Sequence, residues 1–327
     1  MDNCTVALIS GGRGAEREIS LLSAQYILNK LHCLDNIAVV EIELDPSGAF
    51  FDKSGLELLF ARKSLISPNS TYPVDYAIPY MHGYPSETGD IQSLLEFYQI
   101  PFMGSCSEVN AICFNKITTK RYLELMDIEV TPYLVLFDRK ELEKMPIDFP
   151  VFVKSSSQGS SIGCFRVFDN ETLVHAVTNA FKYGPYVLIE PEIVGRELEI
   201  AAYRYGDELV ITAPCEIICP KNAFYSYEQK YSDTSESKTM IKANKIDMIH
   251  LDRMKMIVET VFNSLPMQDI ARFDFFLSDS NQLYLNEINT FPGLSPISMF
   301  PKMLESNGHE FTFYLEKLIL SRNKLTQ

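Results

Sequence analysis

The sequence predicts an α/β protein whose N-terminal part is a parallel sheet covered by helices, with antiparallel pairing later in the chain. Three observations carry this. Short apolar runs alternate with segments of helical periodicity through about residue 98. A glycine turn, Gly11-Gly12-Arg13-Gly14, closes the first of those runs. Beyond residue 149, strand-like runs flank short polar turns.

In chain order, residues 6–10 form the first strand, and Ile19, Leu22, Tyr26, Ile27 and Leu31 recur at helical spacing behind it. Residues 37–44 are the next strand. Residues 46–73 show little period, with Leu56, Leu59 and Phe60 suggesting a short helix. Residues 74–79 read as a buried strand, followed by a polar loop through Gly89 and a helix that Asp90 could cap. A second unit starts near 105–115. It holds a helix at 118–126, strands at 133–137, 149–154, 164–168 and 186–190, and a helix at 171–183. The third unit has strands 198–205 and 208–218 joined at Gly206-Asp207, then an aperiodic stretch 219–243 rich in Tyr, Ser, Lys and Glu. A helix at 246–262, a hairpin of 270–277 with 282–288, and closing helices at 297–305 and 311–320 complete it. The expected domains are therefore 1–104, 105–190 and 191–327.

A chain of 327 residues with 46% hydrophobic residues can bury a sizeable core, which excludes wholesale disorder. Its 29 basic and 43 acidic residues leave a net charge of −14, which disfavours nucleic acid as a partner. The charge still permits a small anion held by a few buried lysines. Seven cysteines, with no Cys-x-x-Cys pair, read as free thiols in a reducing compartment. Cys215 and Cys219 lack neighbours that would complete a zinc set. No run is long enough to span a bilayer, and Met1-Asp2-Asn3-Cys4 lacks the positive segment of a secretory signal. The expected location is cytoplasmic.

The residues that could carry chemistry cluster in loops and on one hairpin. Arg272 and Asp274 share a face of one strand, and Glu287 and Asn289 share a face of the other. Two carboxylates and a carboxamide are hard oxygen donors suited to magnesium. The competing reading is the solvated face of an antiparallel pair. Lys154 followed by the small-residue loop Ser155–Gly163 could close over phosphate oxygens, or be a surface hairpin. No G-x-x-x-x-G-K-[ST] string occurs. Glu16 opens the first helix at the carboxyl edge of the first strand, where ligands gather in such sheets, though a helix-dipole role is the commoner explanation of an early helical glutamate. His82, Gly83 and Glu87 lie in a loop on that same edge. Lys116, Lys154 and Lys230 sit in or beside loops, and Tyr225, Tyr227 and Tyr231 surround Lys230 in a candidate water-excluding lid.

Together these motifs resemble the D-alanine–D-alanine ligases of the ATP-grasp superfamily, from the first strand to about Met303. The opening signature is Gly11-Gly12-Arg13-Gly14-Ala15-Glu16-Arg17-Glu18-Ile19-Ser20, and the second runs from His82-Gly83 through Glu87, Gly89 and Gln92. Lys154 with Gly159-Ser160-Ser161-Ile162-Gly163 resembles the ATP loop, and YSYEQKY at 225–231 the omega loop. Arg272-Phe273-Asp274-Phe275 and Asn286-Glu287-Ile288-Asn289-Thr290-Phe291-Pro292-Gly293 resemble the metal and oxyanion motifs.

The resemblance implies a three-domain ATP-grasp fold with a Rossmann-like N-terminal domain and ATP held between the central and C-terminal domains. It implies ligation of two D-alanines through an acyl phosphate, for peptidoglycan synthesis, by a cytoplasmic homodimer. Glu16 would hold the first D-alanine's amino group and, with Ser160 and Tyr231, fix the closed lid. His82 would lie beside the first substrate, and Ser298 would bind the second carboxylate. Lys116, Lys154, Ser160 and Ser161 would face ATP, Lys230 the transferred phosphate, Glu190 the adenine amino group and Glu197 the ribose. Asp274, Glu287 and Asn289 would hold two magnesium ions, with manganese as a substitute. Arg272 and the Gly293 N–H would stabilise the tetrahedral oxygen. Gly14, Ser86, Thr88, Ser155 and Gln158 depart from the usual pattern, and they leave the second substrate open. The alternatives are an ATP-grasp ligase for other amino or hydroxy acids, and a nucleotide-binding module without catalysis.

Overall fold

A computed structural model describes residues 4–14, 16–144, 146–220, 237–295 and 298–324. The first strand, β1 (Cys4–Gly11), is apolar almost throughout because both its faces are covered. It pairs in parallel with β2 (Ile37–Leu44) on one side and β7 (Tyr76–Pro79) on the other. Helix α1 (Arg17–Leu31) crosses between β1 and β2 and buries Ile19, Ala24, Ile27, Leu28 and Leu31. Gly11, at φ +92°, ends β1 where a Cβ would stand 2.4 Å from the Leu44 carbonyl oxygen. Only a residue without a side chain permits that approach.

The weakly periodic stretch after residue 46 is not a short helix. It forms β3 (Phe50–Asp52), β4 (Glu57–Ala61), β5 (Ser64–Ser67) and β6 (Ser70–Pro73), an antiparallel meander that extends the sheet to the order β6-β5-β4-β3-β2-β1-β7. The sheet is therefore mixed, and parallel only at β2, β1 and β7. Its short strands alternate weakly because Leu58 and Leu65 are their only fully buried apolar side chains, Phe50, Phe60 and Tyr72 are half-buried against the core, and Leu59 and Ile66 are exposed. Helix α2 (Asp90–Phe97) starts after Gly89, which occupies the cap position, with Asp90 as its first helical residue.

Helices α3 (Ser107–Phe114) and α4 (Lys116–Glu124) meet at Asn115, whose side chain accepts from the Ile117 and Thr118 N–H groups and so caps α4. A four-stranded antiparallel sheet follows. Its order is β10 (Cys164–Val167), β9 (Val151–Ser155), β11 (Val187–Pro191), β8 (Leu134–Leu136), backed by α5 (Asn170–Ala180). The third sheet is built on β12 (Gly195–Tyr205) and β16 (Ile270–Ser278), with β17 (Leu283–Asn289) on the far side of β16. The expected single strand at 208–218 is two, β13 (Glu208–Ile211) and β14 (Cys215–Ile218), and both pair with β12. Pro214 falls in the break, and a residue without an N–H cannot continue a ladder. Strand β15 (Lys238–Met240) pairs with β14.

One apolar core unites chain ends. Leu8, Ile27, Leu31 and Tyr80 pack with Phe291, just after β17, and with Phe300, Phe311 and Tyr314 from the C-terminal helices 299–306 and 311–324. Tyr26 stacks on Phe311 at 5.5 Å between ring centroids. This packing brings the carboxyl edge of β1 and β7 against the hairpin β16–β17.

Candidate active site

The hairpin supplies the charged floor. Cross-strand register sets Glu199 of β12 opposite Asp274 of β16, and Asp274 opposite Glu287 of β17. Three carboxylates in a lateral row repel one another, so the row needs cations. Arg272 provides one. Its Nε and one terminal nitrogen each donate to Asp274 at 2.7 Å, and Nε lies 3.2 Å from Glu199. Burial alone disfavours the Arg272 cation, but the charges of Asp274 and Glu199 outweigh it and hold its pKa well above the ordinary value. Lys116 provides the other cation, 3.2 Å from Glu287, while also donating to the Gln158 carbonyl at 2.9 Å. Asn289, across from Arg272, donates to Asp274 at 3.0 Å.

The wall is built on β9 and β11. Lys154 meets one oxygen of the buried Glu190 at 2.5 Å, and Lys120 meets the other at 2.7 Å. A cleft of about 390 Å³ opens between these sheets. Lys116, Lys154, Ser160, Ser161, Glu190, Glu197 and Glu287 all line it. These are nucleotide- and metal-directed residues expected from the sequence, and folding gathers them from six separated places in the chain into one space.

The third wall comes from the first sheet. Glu16 is buried at the start of α1, and the Ser160 hydroxyl donates to its carboxylate. Two glycines make room for that carboxylate. A Cβ on Gly83 would stand 2.7 Å from its Oε2, and one on Gly159 3.0 Å from its Oε1. Ser160 and Ser161 both hold left-handed backbones, at φ 50° and 59°. Such backbones cost about 1 kcal/mol each or more for a non-glycine residue, and the Glu16 contact helps to hold the loop in place. Glu87 is buried beside Glu16, accepting from the Gly83 N–H at 3.0 Å. Burial and then the Glu16 charge raise its pKa to about 8.

His82 lies under this edge. Its Nε2 pairs with the Ser23 hydroxyl at 2.9 Å, and its backbone N–H donates to the Ser20 hydroxyl at 2.9 Å. Burial, reinforced by Arg272, lowers its pKa to about 4, so the ring is neutral at ordinary pH. Tyr80 packs on His82 at 5.7 Å and donates to the Pro292 carbonyl, fixing the turn before Gly293. A Cβ on Gly293 would lie 2.9 Å from Ser298 Oγ, and that hydroxyl pairs with Ser295 at 2.7 Å. Lys230 and Tyr231 lie outside the described residues.

Among the described residues no three His, Cys, Asp or Glu side chains converge as a metal-binding group. The donor set of Asp274, Glu287 and Asn289 nonetheless fits magnesium in its chemistry, because hard oxygens on facing strands share one face, and Glu287 alone of the three lines the cleft.

Residues 123–320 match the family model described as D-ala D-ala ligase C-terminus. The chain is also 43% identical over 323 residues to the D-alanine–D-alanine ligase of Vibrio parahaemolyticus, covering 97% of this chain and 98% of that one. The chain belongs to the D-alanine–D-alanine ligase family. The ligase of Tolumonas auensis is likewise 43% identical, over 99% of this chain and its whole length. Among solved structures, D-alanyl-alanine synthetase A from Vibrio cholerae superposes with a TM-score of 0.90 at 38% identity, covering 99% of each chain. The VanG D-Ala:D-Ser ligase from Enterococcus faecalis superposes at 0.85 with 26% identity, over 98% of this chain and 100% of that one. The expected α/β, ATP-grasp architecture therefore holds, with an N-terminal sheet that is mixed rather than wholly parallel.

Sequence reasoning missed two charged residues that pair with the expected ones, Glu199 with Arg272 and Lys120 with Glu190. Glu199 follows Glu197 at the two-residue spacing of a strand, and that spacing was a readable signal for a shared face. Lys120 carried only its position four after Lys116 on α4, one helical turn away.

Proposed function

We propose that the protein joins two D-alanine molecules to D-alanyl-D-alanine at the expense of ATP, through an acyl phosphate, for peptidoglycan precursor synthesis. The observation that carries this is the single cleft lined by Lys116, Lys154, Ser160, Ser161, Glu190, Glu197 and Glu287. A triphosphate there would meet Lys116 and Lys154, and Glu197 would meet the ribose. Asp274, Glu287 and Asn289 would hold magnesium, or manganese in its place, which when bound spreads phosphate charge. Glu16 would take the ammonium of the first D-alanine beside neutral His82, and Ser298 the carboxylate of the second. A carboxylate is a poor electrophile, and phosphorylation makes it reactive toward the second amine. Arg272 and the Gly293 N–H would stabilise the oxygen charge that develops in that attack. The Glu16–Ser160 contact, with Lys230 and Tyr231 of the lid, would keep water from the acyl phosphate.

We further propose the domain division 1–104, 105–190 and 191–327, a cytoplasmic location and a homodimer. No helix among the described residues is long and apolar enough to cross a membrane. Incubation with ATP, magnesium and D-alanine, followed by product identification, tests the activity. The expected product is D-alanyl-D-alanine with stoichiometric ADP. Turnover only with L-amino acids rejects the assignment. Sedimentation tests the dimer, and a mass near 37.2 kDa contradicts it.

A further inference from the structure

Lys120 is 1% exposed on its side chain, and it is not among the residues lining the cleft. Its ammonium meets Glu190 Oε1 at 2.7 Å, donates to the Thr131 carbonyl at 3.0 Å and lies 5.3 Å from the centre of the Tyr133 ring. Glu190 takes Lys154 on its other oxygen, at 2.5 Å. Two buried ammoniums thus share one buried carboxylate. At Glu190 this leaves two ammoniums against one carboxylate.

A structural ion pair needs only one lysine. Burying a second cation without its own anion is costly, and apolar replacement of buried ion pairs is often neutral or stabilising. An anion entering the cleft would meet that local surplus of positive charge through Lys154. Lys154 lines that cleft, while Lys120 approaches Glu190 away from it. Burial lowers the Lys120 pKa, opposed by the Glu190 charge, whereas the two lysines hold Glu190 below its ordinary value despite burial.

We propose that Lys120 is a positioning residue: it neutralises Glu190 from behind, so that Lys154 keeps an uncompensated positive charge toward the phosphates of a bound nucleotide. The same arrangement makes Glu190 an anchor for two lysines, beyond any contact it makes with adenine. The inference rests on the cleft taking ATP.

Calorimetric titration of the full-length protein with adenosine and with ADP tests both ideas separately. Wild-type protein binds ADP more tightly than adenosine. In Lys120→Met, Lys154 is fully paired by Glu190, and the ADP preference over adenosine falls by about tenfold or more. Adenosine affinity itself stays within about twofold of wild type, because Glu190 and Glu197, which would face it, are unchanged. In Lys120→Met/Glu190→Gln, Lys154 is again unpaired and the ADP preference returns. An unchanged preference in the single variant overturns the proposal, and so does failure of the double variant to recover it. If Lys120→Met does not fold, Lys120→Gln takes its place, with the same expected fall in ADP preference and the same unchanged preference overturning the proposal. If wild-type protein binds neither molecule, the nucleotide reading falls and takes this inference with it.

Discussion

Glu87 offers a test in which the structure sets both sign and size. It is buried, close to the charge of Glu16, and its pKa stands at about 8 against an ordinary glutamate value of 4.5. A group whose folded pKa is raised adds stability fully only below its unfolded pKa, and that stability is lost as pH rises through the folded value. Wild-type protein therefore loses stability between about pH 4.5 and about pH 8. At about 1.4 kcal/mol per pH unit the loss reaches roughly 3 kcal/mol at pH 7 and levels off near 5 kcal/mol. Glu87→Gln keeps the shape and an acceptor for the Gly83 N–H but cannot ionise. The variant should match wild type near pH 4.5 and exceed it by roughly 3 kcal/mol at pH 7. Urea unfolding at several pH values measures this by circular dichroism, since the chain has no tryptophan to report fluorescence. A difference that does not change with pH, or a variant less stable than wild type at pH 7, refutes the reasoning.

Arg272→Ala should keep nucleotide binding and lose dipeptide formation by about 10²-fold or more, measured as coupled ADP release with D-alanine. Unchanged product formation would remove Arg272 from the proposed transition state. His82, with a pKa of about 4, should show a neutral imidazole by NMR across the physiological range. Its folded pKa is below the ordinary 6.5, so it subtracts stability as pH falls from 6.5 toward 4. A titration midpoint near 6.5 would contradict its burial. Gly89→Ala puts a Cβ 2.3 Å from the Ser107 carbonyl oxygen at φ +86°, and should cost about 3 kcal/mol or more in thermal unfolding. A loss below about 1 kcal/mol would mean that α2 and α3 can separate there without penalty.

The sequence by itself determined most local structure. The hairpin expected at 270–277 and 282–288 is β16 with β17, and period-two alternation placed Arg272 with Asp274 and Glu287 with Asn289 because successive strand residues alternate faces. The loop motifs around Glu16, His82 and Lys154 were equally legible, since glycines mark where chain and ligand must approach closely. Alternation failed at residues 46–73, where short edge strands bury too few side chains to print a period. Tertiary structure alone decided which motifs meet. Ser160 reaches Glu16 across 144 residues, Glu190 draws in Lys120 and Lys154 from 70 and 36 residues away, and Glu199 completes the acidic row. Charge pairing between distant segments leaves no periodic trace along a chain. It forms only when burial of the shared core brings the sheets together and forces each desolvated charge to find a partner.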